Sequence, residues 1–380
     1  MRKNRVKNRF DDEKKIYVSN FDYSVFFTVI LLVLFGIIMI FSASSYVAAT
    51  RSEYNHDMFL FLKKQVFAVG LGFVLMMFTA NLNYRKLKRF AFGLYCVANF
   101  LLVFVFLFGT AKKGARRWIY LPVVGSFQPS ELAKVAIILF ISCLIASNKN
   151  ILKDISGHIF CAFFVFLTVI LIALANLSTA IIVSLIGFGI IFIASPYTAV
   201  FFISGLIGAS GLVFYMSRAK DFRGGRFSAW LDPFSDPSAT GYQIVQSLYA
   251  VASGGIFGLG LGQSRQKLGF LPEAHNDIIF SIICEELGFF GAMIVLILFA
   301  ILIWRGIKIA VNATDLFGTL VASGIVIMIA SQVIINVAVV TNSIPNTGVP
   351  LPFISYGGTS VAIMMMLIGI LLNISRYSRD

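Results

Sequence analysis

The sequence predicts an all-α fold: a polytopic membrane protein with about ten transmembrane helices and a long outer loop between helices 7 and 8. Of its 380 residues, 58% are hydrophobic and only 13% charged, with a mean hydropathy of +0.89, whereas soluble domains carry roughly 25% charge. Apolar runs of about 18 or more residues recur along the chain, and at roughly 1.5 Å per residue each can cross a hydrocarbon core of about 30 Å. A soluble core cannot hide that much apolar surface, so the bilayer is the solvent.

Periodicity and run length place the spans at 24–48, 65–81, 90–110, 130–147, 158–175, 177–195, 198–217, 277–304, 315–341 and 357–375. The basic opening MRKNRVKNR is followed by a polar stretch and an apolar run too long for a signal-peptide core. The first helix is therefore expected to stay as an anchor, with 1–21 as a cytoplasmic tail. Seventeen of the 31 Lys and Arg then fall on inner segments, among them Arg2, Lys88, Lys153, Arg305 and Arg376. That asymmetry fits the positive-inside rule and puts both termini on the cytoplasmic side.

The other fourteen lie outside: Arg51, Lys63, Lys64, Lys112, Lys113, Arg116, Arg117, Lys134, Arg218, Lys220, Arg223, Arg226, Arg265 and Lys267. Positive charge there works against orientation, which points to an anionic ligand at the outer face or to snorkelling toward lipid phosphates. Membrane orientation explains part of the net charge of +14, so nucleic acid is not implied.

The segment 218–276 is the one sizeable non-spanning region of a chain that otherwise reads as a single membrane-embedded domain, 1–380. Its stretch YQIVQSLYAVASGGIFGLGL is amphipathic, then glycine-rich, and is expected to fold back onto the helices as a re-entrant or interfacial element. GGIFGLGLG shares glycines with a dinucleotide fingerprint but follows no strand. Cys96, Cys143, Cys161 and Cys284 fall inside apolar runs and read as small core residues rather than disulfides or zinc ligands.

Chemistry-bearing residues concentrate in LPEAHNDIIFSIICEELGFFG. Glu285 and Glu286 sit within the eighth span, where a carboxylate costs about 2.5 to 3.5 kcal/mol and must find donors inside the bundle. On a continuous helix Asp277 lies roughly 12 Å above Glu285, at headgroup depth. Either Asn276 or Asp277 caps that helix, or Asp277 acts as an acid or base. His275 reads as a support for the site residues or as structural, and Glu273 as a partner for an outer cation.

A second polar cluster is GARRWIYLPVVGSFQPSELAKVA. Arg116 and Arg117 suit forked bonding to phosphate and Trp118 suits interfacial depth. Glu131 and Lys134 are three apart on one helix face, either a self-neutralised surface pair or part of a site. A third is NVAVVTNSIPNTGVPLPFISYGGTS, an ordered loop in which Pro345, Pro350 and Pro352 fix the path and Gly357 and Gly358 permit close approach.

This last segment, together with GARRWI, FQPSELAK, DPSATGYQIVQS and GLGQSRQKLGFLPEAHNDIIFSIICEELG in the same order, closely resembles the signature of the FtsW/RodA/SpoVE (SEDS) family over about residues 24–376. GLGQSRQK and SYGGTS look more like the FtsW and SpoVE branch. LIALANLSTA at 171–180 departs from the pattern, since relatives carry Gln or Glu and then Pro before the Asn or Asp.

The resemblance implies a peptidoglycan glycosyltransferase that polymerises lipid II on the outer face for division or sporulation, alongside a crosslinking class B penicillin-binding protein. The family's essential Asp falls on Asp277, the expected base. Arg116, Arg117, Lys134, Arg223 and Arg226 are candidates to neutralise the pyrophosphate, and Trp118, Glu131, Gln246, Ser355, Gly357 and Gly358 complete the expected substrate-binding set. No protein metal site is expected, with a divalent cation (Mg or Mn) as a possible helper. Two rivals remain at this stage: a lipid II flippase, favoured by Glu285 and Glu286, and a non-catalytic scaffold for the penicillin-binding protein.

Overall fold

The computed structural model describes residues 21–112, 115–121, 125–148, 150–197, 222–238 and 241–377, and the backbone alone at 110–112, 115–116, 120–121, 125 and 222–226. The first three long helices are α1 (Tyr23–Thr50), α2 (Leu60–Asn81) and α3 (Leu87–Phe108). A small antiparallel sheet follows, β1 (Thr110–Lys112), β2 (Ala115–Leu121) and β3 (Gly125–Phe127). Then come α4 (Pro129–Ser147), α5 (Ile155–Ala173) and α6 (Leu177–Ala194), and the short α7 (Phe222–Leu231) and α8 (Tyr242–Gly254). The last long helices are α9 (Ile279–Asn312), α10 (Leu316–Val340) and α11 (Gly358–Arg376).

Among the described residues nine helices are long and apolar enough to cross a membrane. The span expected at 198–217 lies outside the described residues.

The helices form because their sequences are apolar around nearly the whole circumference, as a lipid-facing helix must be. On α1, Val25, Val29, Leu32, Gly36, Met39 and Ala43 face inward, while Phe27, Leu31, Leu34 and Ile38 are exposed. Side chains open several helices: Asp22 accepts the Val25 N–H at 3.1 Å, Asn176 the Thr179 N–H at 3.3 Å and Asp315 the Gly318 N–H at 2.8 Å. α4, α10 and α11 form the inner layer, and α2, α3, α5 and α9 the periphery.

Small residues let the periphery seat closely on the inner layer. Gly369 on α11 sits against Thr79 and Met76 of α2, and the Thr79 hydroxyl donates to the Met366 carbonyl at 2.9 Å, a close helix contact of the kind membranes favour.

Several boundaries differ from expectation. The second span starts five residues earlier, at Leu60, because Lys63 and Lys64 are tolerated in its first turns, with Lys63 paired to Asp57 at 2.8 Å. The eighth begins at Ile279 and runs on to Asn312, carrying Lys308 over the Trp304 ring at 4.4 Å. Residues 115–119 of the GARRWI block lie on β2, a strand the sequence reading did not assign. Cys96 faces outward and is exposed, so it is not a core residue; Cys161 and Cys284 are buried.

The glycine-rich part of the expected re-entrant stretch does fold back, and it does so onto a break in α9. Gly288 leaves the helical conformation at φ 66°, ψ −167°. The carbonyls of Glu285 and Glu286 accept from Leu259 and Gly260 N–H at 2.9 Å each, and the N–H groups of Phe289 and Phe290 donate to Gly255 and Ile256 at 2.9 and 3.1 Å. Interrupted helices survive in lipid only when such backbone groups are satisfied by other protein atoms. A Cβ on Gly258 would lie 2.2 Å from the Glu286 carbonyl oxygen, so this contact requires glycine.

Candidate active site

Asp277 lies two residues ahead of α9. The cap position is taken by Ile278, not by Asn276 or Asp277, and the Asn276 amide turns back to the Glu273 carboxylate. Asn276 N–H also donates to the Glu273 carbonyl at 2.9 Å, which holds Glu273 in the left-handed region at φ 56°. Glu273 is thus engaged locally. His275 is buried, its ring against Phe61 at 4.4 Å and Tyr356 at 5.7 Å, in keeping with the structural role expected for it.

Asp277 itself is half-buried. Its carbonyl accepts from the Asn336 side chain at 2.6 Å. Gly348, in the proline-punctuated loop, has φ +67°, and a Cβ there would stand 3.1 Å from Asp277 Oδ2.

That loop joins the elements of this end of the bundle. Ser178 Oγ donates to the Thr347 carbonyl, which supplies a polar contact from the divergent 171–180 stretch. Tyr356 N–H donates to the His275 carbonyl at 2.9 Å, and Gly357 N–H to Gln65 Oε1 at 3.3 Å. Phe353 and Ile354 press against Gly36 of α1, so the loop is packed into the bundle rather than lying over it. Ser355 is buried, its oxygen accepting Leu351 N–H at 2.7 Å; it closes the turn. Gly358 opens α11.

Glu131 and Lys134 are paired, Nζ to Oε1 2.9 Å, but not at the surface: their side chains are 8% and 2% exposed. The second carboxylate oxygen of Glu131 accepts from Ser360 at 3.0 Å, so the α11 start holds this pair just beyond Gly357 and Gly358. The expectation of a surface pair is corrected by the packing of α4 in the inner layer.

Among the basic candidates, Arg117 Nε donates to the Ala175 carbonyl at 2.6 Å. Trp118, on the opposite face of β2 by strand alternation, is part-exposed. The side chains of Arg116, Arg223 and Arg226 lie outside the described residues. Gln246 is part-buried on α8, next to Ser247, which donates to the Val340 carbonyl at 3.4 Å.

Lys267 was grouped with the outer cations, yet it is 6% exposed and bound to Glu286 at 2.7 Å and Ser42 at 2.9 Å. Glu285 accepts from the Ser264 hydroxyl and from Arg265 N–H at 2.9 Å. The two intramembrane glutamates therefore fasten the folded-back segment to α9, and Glu286 fastens it to α1.

Sequence reasoning missed Gln65, Asn336 and Gly348. A signal existed for Asn336, since a carboxamide in an apolar span, here one turn after Gln332, marks an interior polar contact.

The fold and site define a multi-pass membrane protein whose candidate chemistry, a braced carboxylate near a buried ion pair, gathers at one end of the helix bundle. A family profile described as cell cycle protein, FtsW/RodA/SpoVE, matches residues 22–380, and the chain belongs to that family. It is 44% identical over 357 residues to stage V sporulation protein E of Bacillus subtilis (strain 168), covering 92% of this chain and 95% of that one. It is 38% identical over 366 residues to a protein named probable peptidoglycan glycosyltransferase FtsW of Geobacter sp. (strain M18), covering 95% and 98%.

Among solved structures, it matches a chain from work on structural coordination of polymerization and crosslinking by a peptidoglycan synthase complex, with TM-score 0.76, 26% identity and coverage of 94% and 98%. It also matches the rod shape determining protein RodA of Thermus thermophilus, with TM-score 0.70, 25% identity and coverage of 95% and 98%.

Proposed function

We propose that this chain is a peptidoglycan glycosyltransferase that polymerises lipid II at the outer face of the bacterial cytoplasmic membrane, serving division or sporulation. The observation that carries the reading is Asp277, half-buried ahead of α9 with the loop at Gly348 against its carboxylate, in a chain akin to proteins named for this activity. Residues 1–380 act as one membrane-embedded domain with 1–21 and the C-terminus cytoplasmic and 218–276 extracytoplasmic, an orientation supported by the bias of Lys and Arg.

Asp277 takes the proton from the GlcNAc 4-hydroxyl of one lipid-linked sugar as that oxygen attacks the MurNAc anomeric carbon of the other. The carbon–oxygen bond to undecaprenyl pyrophosphate breaks with inversion, and Asp277 later returns the proton to solvent. Base assistance of this kind is worth roughly 10² to 10⁴ in rate, and cations facing the leaving group add a comparable term. Arg116, Arg117, Arg223 and Arg226 are assigned to that second role. Lys134 contributes less charge than expected, because Glu131 already matches it; the pair shapes the cavity wall with Gly357 and Gly358, while Trp118 and Gln246 flank the substrate.

Among the described residues no three His, Cys, Asp or Glu side chains converge to hold a metal. Mg or Mn would accompany the pyrophosphate as its counterion. The partner is a class B penicillin-binding protein, supported by the likeness to a chain of a complex that couples polymerization to crosslinking. The engagement of Glu285 and Glu286 in structural contacts weighs against a flippase.

The test is purified protein in detergent, with its partner and lipid II, where no bilayer remains to be crossed. Wild type should make glycan chains and Asp277→Asn none above background, with insertion, thermal midpoint and partner binding preserved. Wild-type-like chains from Asp277→Asn would remove Asp277 as the base, and no product from an assembled, stable wild-type complex would favour transport or a scaffold role.

A further inference from the structure

We infer that Asn336 on α10 and Gly348 in the following loop are positioning residues that set the place and direction of the Asp277 carboxylate; this rests on the assignment of Asp277 as the base. Asp277 lies before the first residue of α9, so the helical ladder does not fix it. Something outside the helix must.

Asn336 supplies the link. It is 1% exposed, and its amide nitrogen donates to the Asp277 carbonyl at 2.6 Å and to the Val349 carbonyl at 2.8 Å. Both partners are carbonyl oxygens and can only accept, so the orientation of the amide is set by chemistry. The two donors of one side chain thus tie the residue bearing the carboxylate to the residue after Gly348. A carboxamide in an apolar span is costly unless hydrogen-bonded, so loss of either bond is disfavoured.

Gly348 completes the arrangement from the side-chain direction. Its positive φ and its hypothetical Cβ 3.1 Å from Asp277 Oδ2 mean that the loop backbone lies against the carboxylate and restricts its rotation. The loop is anchored independently just ahead of this point, by Ser178 at the Thr347 carbonyl and by Asn346, whose amide donates to Gln243 at 3.0 Å, and beyond it by Leu351 N–H, which donates to Ser355 Oγ at 2.7 Å. A base must lie within hydrogen-bond reach of the proton it removes, and a displacement of about 1 Å can cost roughly 10²-fold in rate.

The experiment compares wild type, Asp277→Asn, Asn336→Leu and Gly348→Ala as full chains purified with the partner and supplied with lipid II. Asn336→Leu keeps the branching at Cγ, with somewhat more bulk, and removes both donors; Gly348→Ala adds one methyl toward the carboxylate. Each should lower kcat by about 10-fold to 100-fold with KM for lipid II within about twofold of wild type. Amide hydrogen exchange in Asn336→Leu should rise together in 273–280 and 344–352, because one side chain serves both.

If Asn336→Leu yields no folded protein, Gly348→Ala decides through the same split of kcat from KM. Normal kcat in either folded variant, with Asp277→Asn inactive, overturns the inference alone, as does increased exchange confined to 344–352. Full activity in Asp277→Asn instead overturns the base assignment and the positioning role with it.

Discussion

Glu131 and Lys134 are three residues apart at the start of α4, a spacing at which any helix brings opposite charges together. On a solvated face such a pair is worth little. Here both groups are nearly inaccessible, and removing one partner of a buried pair costs about 3 to 5 kcal/mol because the other charge is stranded. Lys134→Met should therefore lower the thermal midpoint sharply in detergent, whereas Glu131→Gln with Lys134→Met should recover most of the loss. Equal midpoints for the single and double variants would show that the pair is solvated after all. Polymerisation should stay impaired in the double variant, since the carboxylate that receives Ser360 has lost its charge. The pairing was legible from spacing; its burial was not, because burial depends on α10 and α11 closing around α4.

At the scale of the element, α9 is one apolar run in sequence and two helical pieces in space. Its break at Gly288 is stable because residues 255–260 complete the backbone hydrogen bonds that the helix gives up. Gly258→Val should prevent this approach, since even a Cβ would stand 2.2 Å from the Glu286 carbonyl oxygen; the expected outcome is loss of monodisperse protein on size exclusion, with Gly93→Ala on α3, which meets no neighbouring atom within 4 Å, far milder. Lys267→Met should destabilise for a different reason, leaving Glu286 buried with Ser42 alone, and Glu286→Gln in the same chain should restore part of the thermal midpoint. That glycine-rich tracts pack closely could be read from composition. Where this one docks could not, because the partner backbone is some 30 residues further on.

Across the whole molecule, the end of the bundle opposite Asp277 is closed by ties between distant elements. Arg305 holds Asp22 at 2.6 Å, and Asn373 bridges Tyr84 N–H and the Ala80 carbonyl at 2.9 and 2.8 Å. Asp315 receives Arg85 Nε at 2.8 Å and the Tyr84 hydroxyl at 2.7 Å. Burial pushes the Asp315 carboxyl up, but hydrogen bonds from Arg85, Gly318 N–H and Tyr84 outweigh it and hold it below the ordinary 3.8. A carboxyl lowered by folding contributes stability that is complete above its unfolded value and lost as pH falls through the folded one. The thermal midpoint of wild type should thus decline below about pH 4 more steeply than that of Asp315→Asn; parallel curves would show that this tie does not couple to protons.

Apolar runs, basic asymmetry and ordered motif blocks were enough to determine a polytopic helical membrane protein, its family likeness and the prominence of Asp277, because hydrocarbon imposes length and polarity on every span separately. Tertiary structure alone decided what surrounds that carboxylate. Asn336 and Gly348 come to Asp277 from 59 and 71 positions away, Lys267 turns inward to Glu286, and Ser360 reaches Glu131 across the bundle. Such contacts depend on which faces of separate helices meet, and in a lipid-facing chain every face is apolar, so the hydrophobic pattern that fixes the helices does not determine their pairing.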